Sequence, residues 1–134
     1  MKILPINTIN KSYNIYIGKN IISQINKILN KENINFKKSL LVIDKNVPKT
    51  FIKRIRSKIK CKQKLIFSFN ASEKNKNFLK INQILDILLK NNFTRNDLVI
   101  CIGGGIAGDV SGFAASIFKR GLKFVNIPTT LLSQ

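Results

Sequence analysis

The feature that most constrains the fold of this chain is a short apolar run that stops at consecutive glycines. Residues 98–102 read Leu-Val-Ile-Cys-Ile and are followed by Gly103, Gly104 and Gly105, with another glycine at Gly108. An apolar run of this length bounded by glycines is typical of a buried strand that ends in a turn. The apolar residues that follow recur at three- and four-residue spacing, which predicts a helix with one apolar face. They are Val110, Phe113, Ala114, Ile117 and Phe118.

The start of that helix is a candidate anion site. The first N–H groups of a helix have no intrahelical partner and lie at the positive end of its dipole, so a phosphate is favoured there. Gly103-x-Gly105-x-x-Gly108 matches the dinucleotide-binding spacing, but a tight turn with close strand–helix packing explains a bare glycine run about as well. No acid follows Asp109, so an acid earlier in the chain would have to hold the ribose of a dinucleotide.

Strands and helices alternate along the rest of the chain. Strands are predicted at 13–17, 39–43, 64–69, 98–102 and 123–127, and helices at 21–29, 48–60, 77–91 and after the glycines. Within the helix at 77–91 the predicted core stripe is Phe78, Ile81, Ile84, Leu85 and Leu88. This order predicts an α/β fold in which a Rossmann-like, mostly parallel sheet carries helices on both faces, in one domain over residues 1–134.

Four further candidate residues for ligand contacts lie near predicted strand ends or at the start of the predicted helix. Thr129 and Thr130 follow the strand at 123–127, and the carboxyl ends of parallel strands are where open α/β sheets bind ligands. Asp44 follows the strand at 39–43 and is a candidate ribose-binding acid, although such a residue is more often part of a turn or a helix cap. Asp109 either complements the helix dipole or orients a ligand hydroxyl.

The charge of the chain invites a second class of function. The chain contains 24 Lys and Arg residues and six acidic residues, which give a formal net charge of +18. This charge would attract phosphate backbones or anionic membranes. The lysines are spread from Lys2 to Lys123, which favours a chain-wide residue bias over a nucleic-acid-binding face. We therefore expect no nucleic-acid partner, while a basic nucleic-acid-binding module remains the alternative.

Cysteine and histidine usage limits the other classes. There is no histidine, and Cys61 and Cys101 lack metal-like spacing, so no metal site is expected in these residues. Two isolated cysteines give no disulfide framework, which favours a reducing cytoplasm. No stretch has the length of a membrane span, and a membrane location is not expected.

Several segments together resemble the amino-terminal domain of the 3-dehydroquinate synthase family. They are Gly103 to Asp109 (GGGIAGD), Gly112 to Ala115 (GFAA), Arg120-Gly121 and Pro128 to Gln134 (PTTLLSQ). The resemblance continues back through the chain and is weakest before about Ser39. The family also has a Gly-Glu-x-x-Lys segment that contacts its cofactor, and Glu73 and Lys76 match its Glu and Lys. This chain has Asn70-Ala71-Ser72 where the family has Pro-x-Gly. The alternative interpretation is that Glu73 and Lys76 form a local surface pair.

The resemblance implies an NAD-dependent lyase of the shikimate pathway. This enzyme converts the sugar phosphate 3-deoxy-D-arabino-heptulosonate 7-phosphate to 3-dehydroquinate and phosphate. Arg120 would contact the substrate phosphate, and in the family this contact comes from the neighbouring subunit of a homodimer. The alternative interpretation is that Arg120 is simply a cation favoured at the carboxyl end of a helix. The implied NAD contacts are Asp44, Glu73, Lys76, Gly105, Ile106, Ala107, Gly108, Asp109, Thr129 and Thr130.

The family continues past the equivalent of Gln134 into a helical domain that supplies Glu and His ligands to zinc or cobalt. The resemblance implies that this domain is absent here and that the chain alone would not turn over substrate. Two related classes share the domain plan, namely other sugar-phosphate cyclases and the polyol or alcohol dehydrogenases. Arg120-Gly121 and the segment 128–134 favour the synthase over the dehydrogenases and leave a sibling cyclase open.

Overall fold

Two sheets and four α-helices make up the chain, which a computed structural model describes from Met1 to Gln134. None of the helices is both long and apolar enough to cross a membrane. The strands are β1 (Lys2–Asn7), β2 (Ser12–Ile17), β3 (Lys38–Asp44), β4 (Gln63–Phe69), β5 (Leu98–Gly103) and β6 (Lys123–Pro128). The helices are α1 (Ile25–Lys31), α2 (Lys49–Lys58), α3 (Phe78–Lys90) and α4 (Gly105–Ile117).

The main sheet has the strand order β4-β3-β5-β6, and all of its neighbouring strands are parallel. The predicted α/β fold with a mostly parallel sheet is confirmed. A strand that the sequence pattern did not predict, β1, pairs with β2 in a separate antiparallel hairpin. This hairpin is tied to the end of α1, because Tyr16 Oη and Asn14 Nδ2 both donate to the Glu32 carboxylate. The hydrogen bonds from Tyr16 and Asn14 lower the pKa of Glu32.

Side chains that alternate along the two central strands build a core on each face of the sheet. Leu40, Val42 and Val99 are fully buried and belong to the core that includes α3 and α4. Residues between them on the same strands, such as Leu41 and Ile100, belong to the core that includes α1 and α2. Fully burying such a side chain contributes about 1.5–3 kcal/mol. Helices therefore cover both faces, as predicted.

Three aromatic and aliphatic residues predicted to lie on apolar helix faces remain exposed. Phe78, placed by its spacing in the core stripe of α3, has 71% of its surface exposed. On α4, Phe113 and Ile117 are 45% and 49% exposed. Phe78 is the first residue of α3, and it makes an edge-to-face contact with Phe113 at the rim of the helix pair. Helical spacing identifies an apolar face, but it does not show whether the same chain covers that face.

The strand order creates a switch point between β3 and β5. From β3 the chain crosses to β4 on one side, and it then returns to β5 on the other side of β3. In open parallel sheets the connections that diverge at such a point leave a crevice outside the carboxyl ends of the two strands. Here those ends are Asp44 and Gly103.

Candidate functional site

Gly103 brings the end of β5 unusually close to its neighbours. A Cβ at this position would lie 2.7 Å from the Cβ of Ala107 in α4 and 3.1 Å from the Cβ of Asp44 at the end of β3. Neither neighbour can rotate away, because both are Cβ atoms attached directly to the backbone. Only glycine therefore allows the two strand ends and the start of α4 to meet at this distance.

The start of α4 is uncapped and open. Gly104 is its N-cap residue, no side chain caps the helix, and the first helical hydrogen bond runs from the Gly108 N–H to the Gly104 carbonyl at 3.0 Å. The N–H groups of Gly105, Ile106 and Ala107 consequently have no helical acceptor. A Cβ on Gly105 would meet nothing within 4 Å, so a ligand can approach the backbone there. These amides form a ready site for a phosphate group.

Asp44 lies beside these amides and is held by a turn of its own. Its Oδ1 accepts hydrogen bonds from the backbone N–H of Asn46 at 3.0 Å and from the Asn46 side-chain amide at 3.2 Å. A weaker third bond comes from the Ala71 N–H at 3.4 Å. All three bonds reach Oδ1, which leaves Oδ2 able to accept from a ligand. The turn role and the ligand-binding role predicted for Asp44 are therefore compatible.

Thr129 and Thr130 follow the end of β6, at the same edge of the sheet as Asp44. The Thr129 N–H donates to the carbonyl of Gly103 at 2.9 Å, which fixes the end of β6 to the glycine turn. Its side chain is exposed and its hydroxyl makes no hydrogen bond within the chain. Thr130 packs over Gly104, where a Cβ would lie 3.0 Å from the Thr130 Cγ2, and its hydroxyl is bonded to Ser133 at 2.8 Å. Thr129 is thus the freer hydroxyl of the pair.

Lys76 and Asp109 join the starts of α3 and α4. The Lys76 Nζ lies 2.9 Å from the Asp109 Oδ2, whereas the sequence spacing suggested a local pair with Glu73. The hydrogen bond and charge of Asp109, with a smaller contribution from Glu73, raise the pKa of Lys76. Lys76 and Asp109 also line an open groove of about 310 Å³ between the two helices. Glu73 lies nearby on an exposed short turn.

Arg120 is the one predicted site residue that the structure keeps apart from the others. It follows the carboxyl end of α4, whose 13 residues rise about 1.5 Å each and so separate it from the glycine turn by about 20 Å. The side chain is exposed and makes no hydrogen bond or ion pair. An arginine side chain is far shorter than this separation, so Arg120 cannot reach the glycine turn of its own chain.

Two asparagines that sequence reasoning did not select complete the strand-end cluster. The Asn46 side-chain amide donates to Asp44 and also to the Asn70 Oδ1 at 3.3 Å. An Asn two residues after an Asp is a recognisable turn signal, so the contact of Asn46 with Asp44 could have been predicted from the sequence. The position of Asn70 could not, because Asn70 lies close to Asn46 only through the pairing of β3 with β4.

This combination of groups suits a nucleotide that carries a pyrophosphate. Free amides, an unpaired carboxylate oxygen, an exposed hydroxyl and a lysine are the groups that hold phosphates and ribose hydroxyls. By contrast, no group of three or more His, Cys, Asp or Glu side chains occurs in the chain, so its own donors do not fit a zinc or cobalt site. A second cavity of about 250 Å³ lies at the opposite edge, near Asn26 and Lys60, and contains none of the motif residues.

Comparison with known proteins supports one family. Residues 66–134, just over half of the chain, match the family model described as 3-dehydroquinate synthase N-terminal. The 3-dehydroquinate synthase of Pelagibacter ubique (strain HTCC1062) is 58% identical over 131 residues, which are 98% of this chain. The 3-dehydroquinate synthase of Bacillus cytotoxicus is 33% identical over 135 residues, or 99% of the chain. The chain spans 36% of the length of each relative.

Solved structures agree on the fold. A crystal structure of 2-deoxy-scyllo-inosose synthase complexed with carbaglucose-6-phosphate, NAD+ and Co2+ superposes with a TM-score of 0.89 at 20% identity, over 98% of this chain and 36% of that one. ValA, a 2-epi-5-epi-valiolone synthase from Streptomyces hygroscopicus with NAD+ and Zn2+ bound, has a TM-score of 0.63 at 26% identity over 72% of this chain and 28% of that one. The match of the family model, together with the glycine turn and the segment that follows it, shows that this chain belongs to the 3-dehydroquinate synthase family.

Proposed function

We propose that this chain is the NAD-binding part of a 3-dehydroquinate synthase. The observation that carries the proposal is the uncapped start of α4 next to Asp44 at the switch point of the sheet. The proposed reaction converts 3-deoxy-D-arabino-heptulosonate 7-phosphate to 3-dehydroquinate and phosphate.

Each strand end has a separate part in holding the cofactor. The N–H groups of Gly105, Ile106 and Ala107 donate to the pyrophosphate, whose negative charge the helix dipole also favours. Asp44 accepts from ribose hydroxyls through Oδ2, because its Oδ1 is already occupied by the turn. Thr129 adds a hydroxyl from the next strand end.

Bound NAD would supply reversible hydride acceptance, which makes the proton next to the oxidised carbon of the sugar acidic enough for phosphate to be eliminated. The residues of this chain position the reactants for that chemistry. Asp109 lies one helical turn past the phosphate-binding amides, and Lys76 reaches it from the start of α3, so both are placed to contact the cofactor or the substrate. The net charge of +18 favours the approach of the anionic sugar phosphate. Ligands for a divalent metal would come from residues outside this chain.

The proposed assembly is a homodimer in which Arg120 reaches the substrate phosphate of the partner. The separation of about 20 Å between Arg120 and its own glycine turn supports this arrangement. So does the exposed apolar surface on the same helix, which includes Phe113 and Ile117. We also propose a cytoplasmic location, which the two free cysteines support.

A fusion protein tests the reaction. This chain would be joined to the remaining residues of the Pelagibacter relative, and phosphate release would be measured with NAD, zinc and the sugar phosphate. We expect turnover from the fusion protein and none from this chain alone. Glucose 6-phosphate serves as the competing substrate, and its preferential use would identify another cyclase. A fusion protein that folds and binds zinc without releasing phosphate from either substrate contradicts the proposal.

The cofactor site is tested by the Asp44→Asn substitution in this chain. Asparagine can still accept the Asn46 hydrogen bonds, so the turn is retained while the carboxylate charge is lost. We expect the Kd for NAD, measured by isothermal titration calorimetry, to rise about 10- to 100-fold, as for the loss of a hydrogen bond to a charged group. Asp86→Asn on the exposed side of α3 is the matched control and should leave the Kd unchanged.

The nucleic-acid alternative is separated by a titration with duplex DNA at two salt concentrations. Affinity that falls steeply with salt while NAD has no effect would favour a nucleic-acid-binding module. We expect NAD to bind and the DNA affinity to remain weak at physiological ionic strength.

A further inference from the structure

We propose that Lys119 is a positioning residue that fixes the direction in which Arg120 leaves the chain. The inference rests on the proposed contact of Arg120 with the substrate phosphate, and it concerns a residue to which neither the sequence motifs nor the family resemblance assigned a role.

The backbone around Arg120 adopts an uncommon conformation. Lys119, Arg120 and Gly121 have consecutive φ values of 43°, 69° and 107°. The other non-glycine residues with positive φ in the chain are all asparagines, which tolerate the left-handed region. Lys119 and Arg120 have no such tolerance, so contacts outside their own backbone must hold this turn.

The two ends of the turn are bonded to the protein. The Gly121 N–H donates to the Phe118 carbonyl, and the Leu122 N–H donates to the Ala115 carbonyl, both at 2.8 Å. These bonds fix the chain before Lys119 and after Arg120. Neither bond explains why Lys119 and Arg120 themselves keep positive φ values.

The side chain of Lys119 adds a contact between the turn and the core. Its Nζ donates to the carbonyl of Phe93 at 2.9 Å and lies 5.4 Å from the centre of the Phe118 ring. Both phenylalanines are buried, at 0% and 4% exposure, so the lysine is attached to rigid parts of the core. The loop that contains Phe93 is itself held, because the Lys38 Nζ donates to the carbonyls of Asn91 and Asn92.

Arg120 differs from Lys119 in having no contact of this kind. Its side chain is exposed and unbonded, so its direction is set by the backbone of the turn rather than by its own interactions. An arginine that serves a site outside its own chain gains from such an external constraint, because a fixed backbone beneath the side chain leaves less entropy to lose on binding. Lys119 provides that constraint.

The test uses the fusion protein described above and the Lys119→Met substitution. Methionine keeps an apolar side chain over Phe118 but cannot donate to the Phe93 carbonyl. We expect the KM for the sugar phosphate to rise about fivefold, the ratio that corresponds to loss of one hydrogen bond. We expect kcat and the KM for NAD to stay within about twofold, and Lys119→Arg to restore the KM because its guanidinium can make both contacts.

The matched control is Lys64→Met, since the Lys64 Nζ also donates to a backbone carbonyl, that of Arg56 at 2.7 Å, on the opposite side of the sheet. If Lys119→Met does not fold, Lys119→Leu, which also lacks a donor, replaces it with the same expected rise in KM. A change in kcat and in both KM values together would show a general loss of structure and would overturn the positioning role.

Arg120→Ala separates this inference from the proposed function. It should raise the KM for the sugar phosphate more than tenfold. If it leaves that KM unchanged, the proposed phosphate contact itself is wrong. If it raises the KM while Lys119→Met does not, the phosphate contact stands and the positioning role is overturned.

Discussion

The two ends of α4 are built in opposite ways. At its start three glycines leave backbone amides uncapped and open to solvent, and the nearest side chains approach without capping the helix. At its end the chain enters a left-handed turn that two backbone hydrogen bonds and the Lys119 side chain hold against buried phenylalanines. The start exposes backbone, whereas the end presents one free side chain, that of Arg120.

The difference shows how one helix can serve two separate sites. A backbone site needs space and the absence of side chains, which glycine provides at some cost in conformational entropy. A site that uses a long side chain needs a fixed backbone position for that residue, which the hydrogen-bonded turn at residues 119–121 provides. Because about 20 Å of helix separates them, the two ends can contribute to different binding sites in an assembly.

The largest expected effect comes from filling the glycine turn. Gly103→Ala places a methyl group 2.7 Å from the Ala107 Cβ, so the strand and the helix must move apart. We expect the free energy of unfolding, measured by urea denaturation, to fall by about 2–3 kcal/mol, as for other overpacked sites. Asp44 should also shift, because its Cβ is 3.1 Å from the same position.

Gly105→Ala is the matched control for that substitution. Its methyl group enters open space, so we expect the free energy of unfolding to change by less than about 0.5 kcal/mol. The Kd for NAD should nonetheless rise, because the methyl group occupies the space in front of the free amides. Equal loss of stability in the two variants would mean that the glycine turn is not closely packed as described.

A smaller loss of stability is expected at the other end of α4. Gly121 has φ 107° and ψ 128°, a conformation that residues with a Cβ strongly disfavour. We expect Gly121→Ala to lower the free energy of unfolding by about 1–2 kcal/mol in the same measurement. Gly108→Ala, inside α4 with ordinary contacts to Asn126, should leave stability unchanged or raise it. If both variants are equally stable, the turn is not strained.

The smallest expected effect is the pH dependence of the Lys76–Asp109 pair. Asp109 raises the pKa of Lys76 above 10.5, so the pair is fully formed below that pH and is lost as the pH rises through the higher folded-state value. The titration can be followed by NMR of the Lys76 side chain. Asp109→Asn should return the pKa towards 10.5, and Asp86→Asn should not. Identical titration of Lys76 in both variants would show that the pair does not form in solution.

Much of the sheet and its binding edge is predictable from the sequence. Three parallel strands end at or just before recognisable residues, namely Asp44, Gly103 and Thr129, and the carboxyl ends of parallel strands share one edge. The hairpin strand β1 is different, because it contains Pro5, lacks clear alternation and gains its structure from pairing with β2.

The contacts between elements could not be predicted in the same way. The spacing of Glu73 and Lys76 suggested a local pair, but the packing of α3 against α4 brings Asp109 to Lys76 instead. Likewise the left-handed turn at residues 119–121 was not predicted, since lysine and arginine have no preference for positive φ. Such contacts depend on how elements pack, which spacing along the chain does not encode.

The uncapped start of α4 has a thermodynamic consequence for the protein as a whole. A dinucleotide that accepts from the free amides would act as the missing cap of this helix, so the loaded state melts at a higher temperature than the empty one. At a cofactor concentration 100 times its Kd the gain is about 2.7 kcal/mol. The melting temperature of the protein would then depend on how much cofactor is present, and it would rise with the logarithm of the NAD concentration.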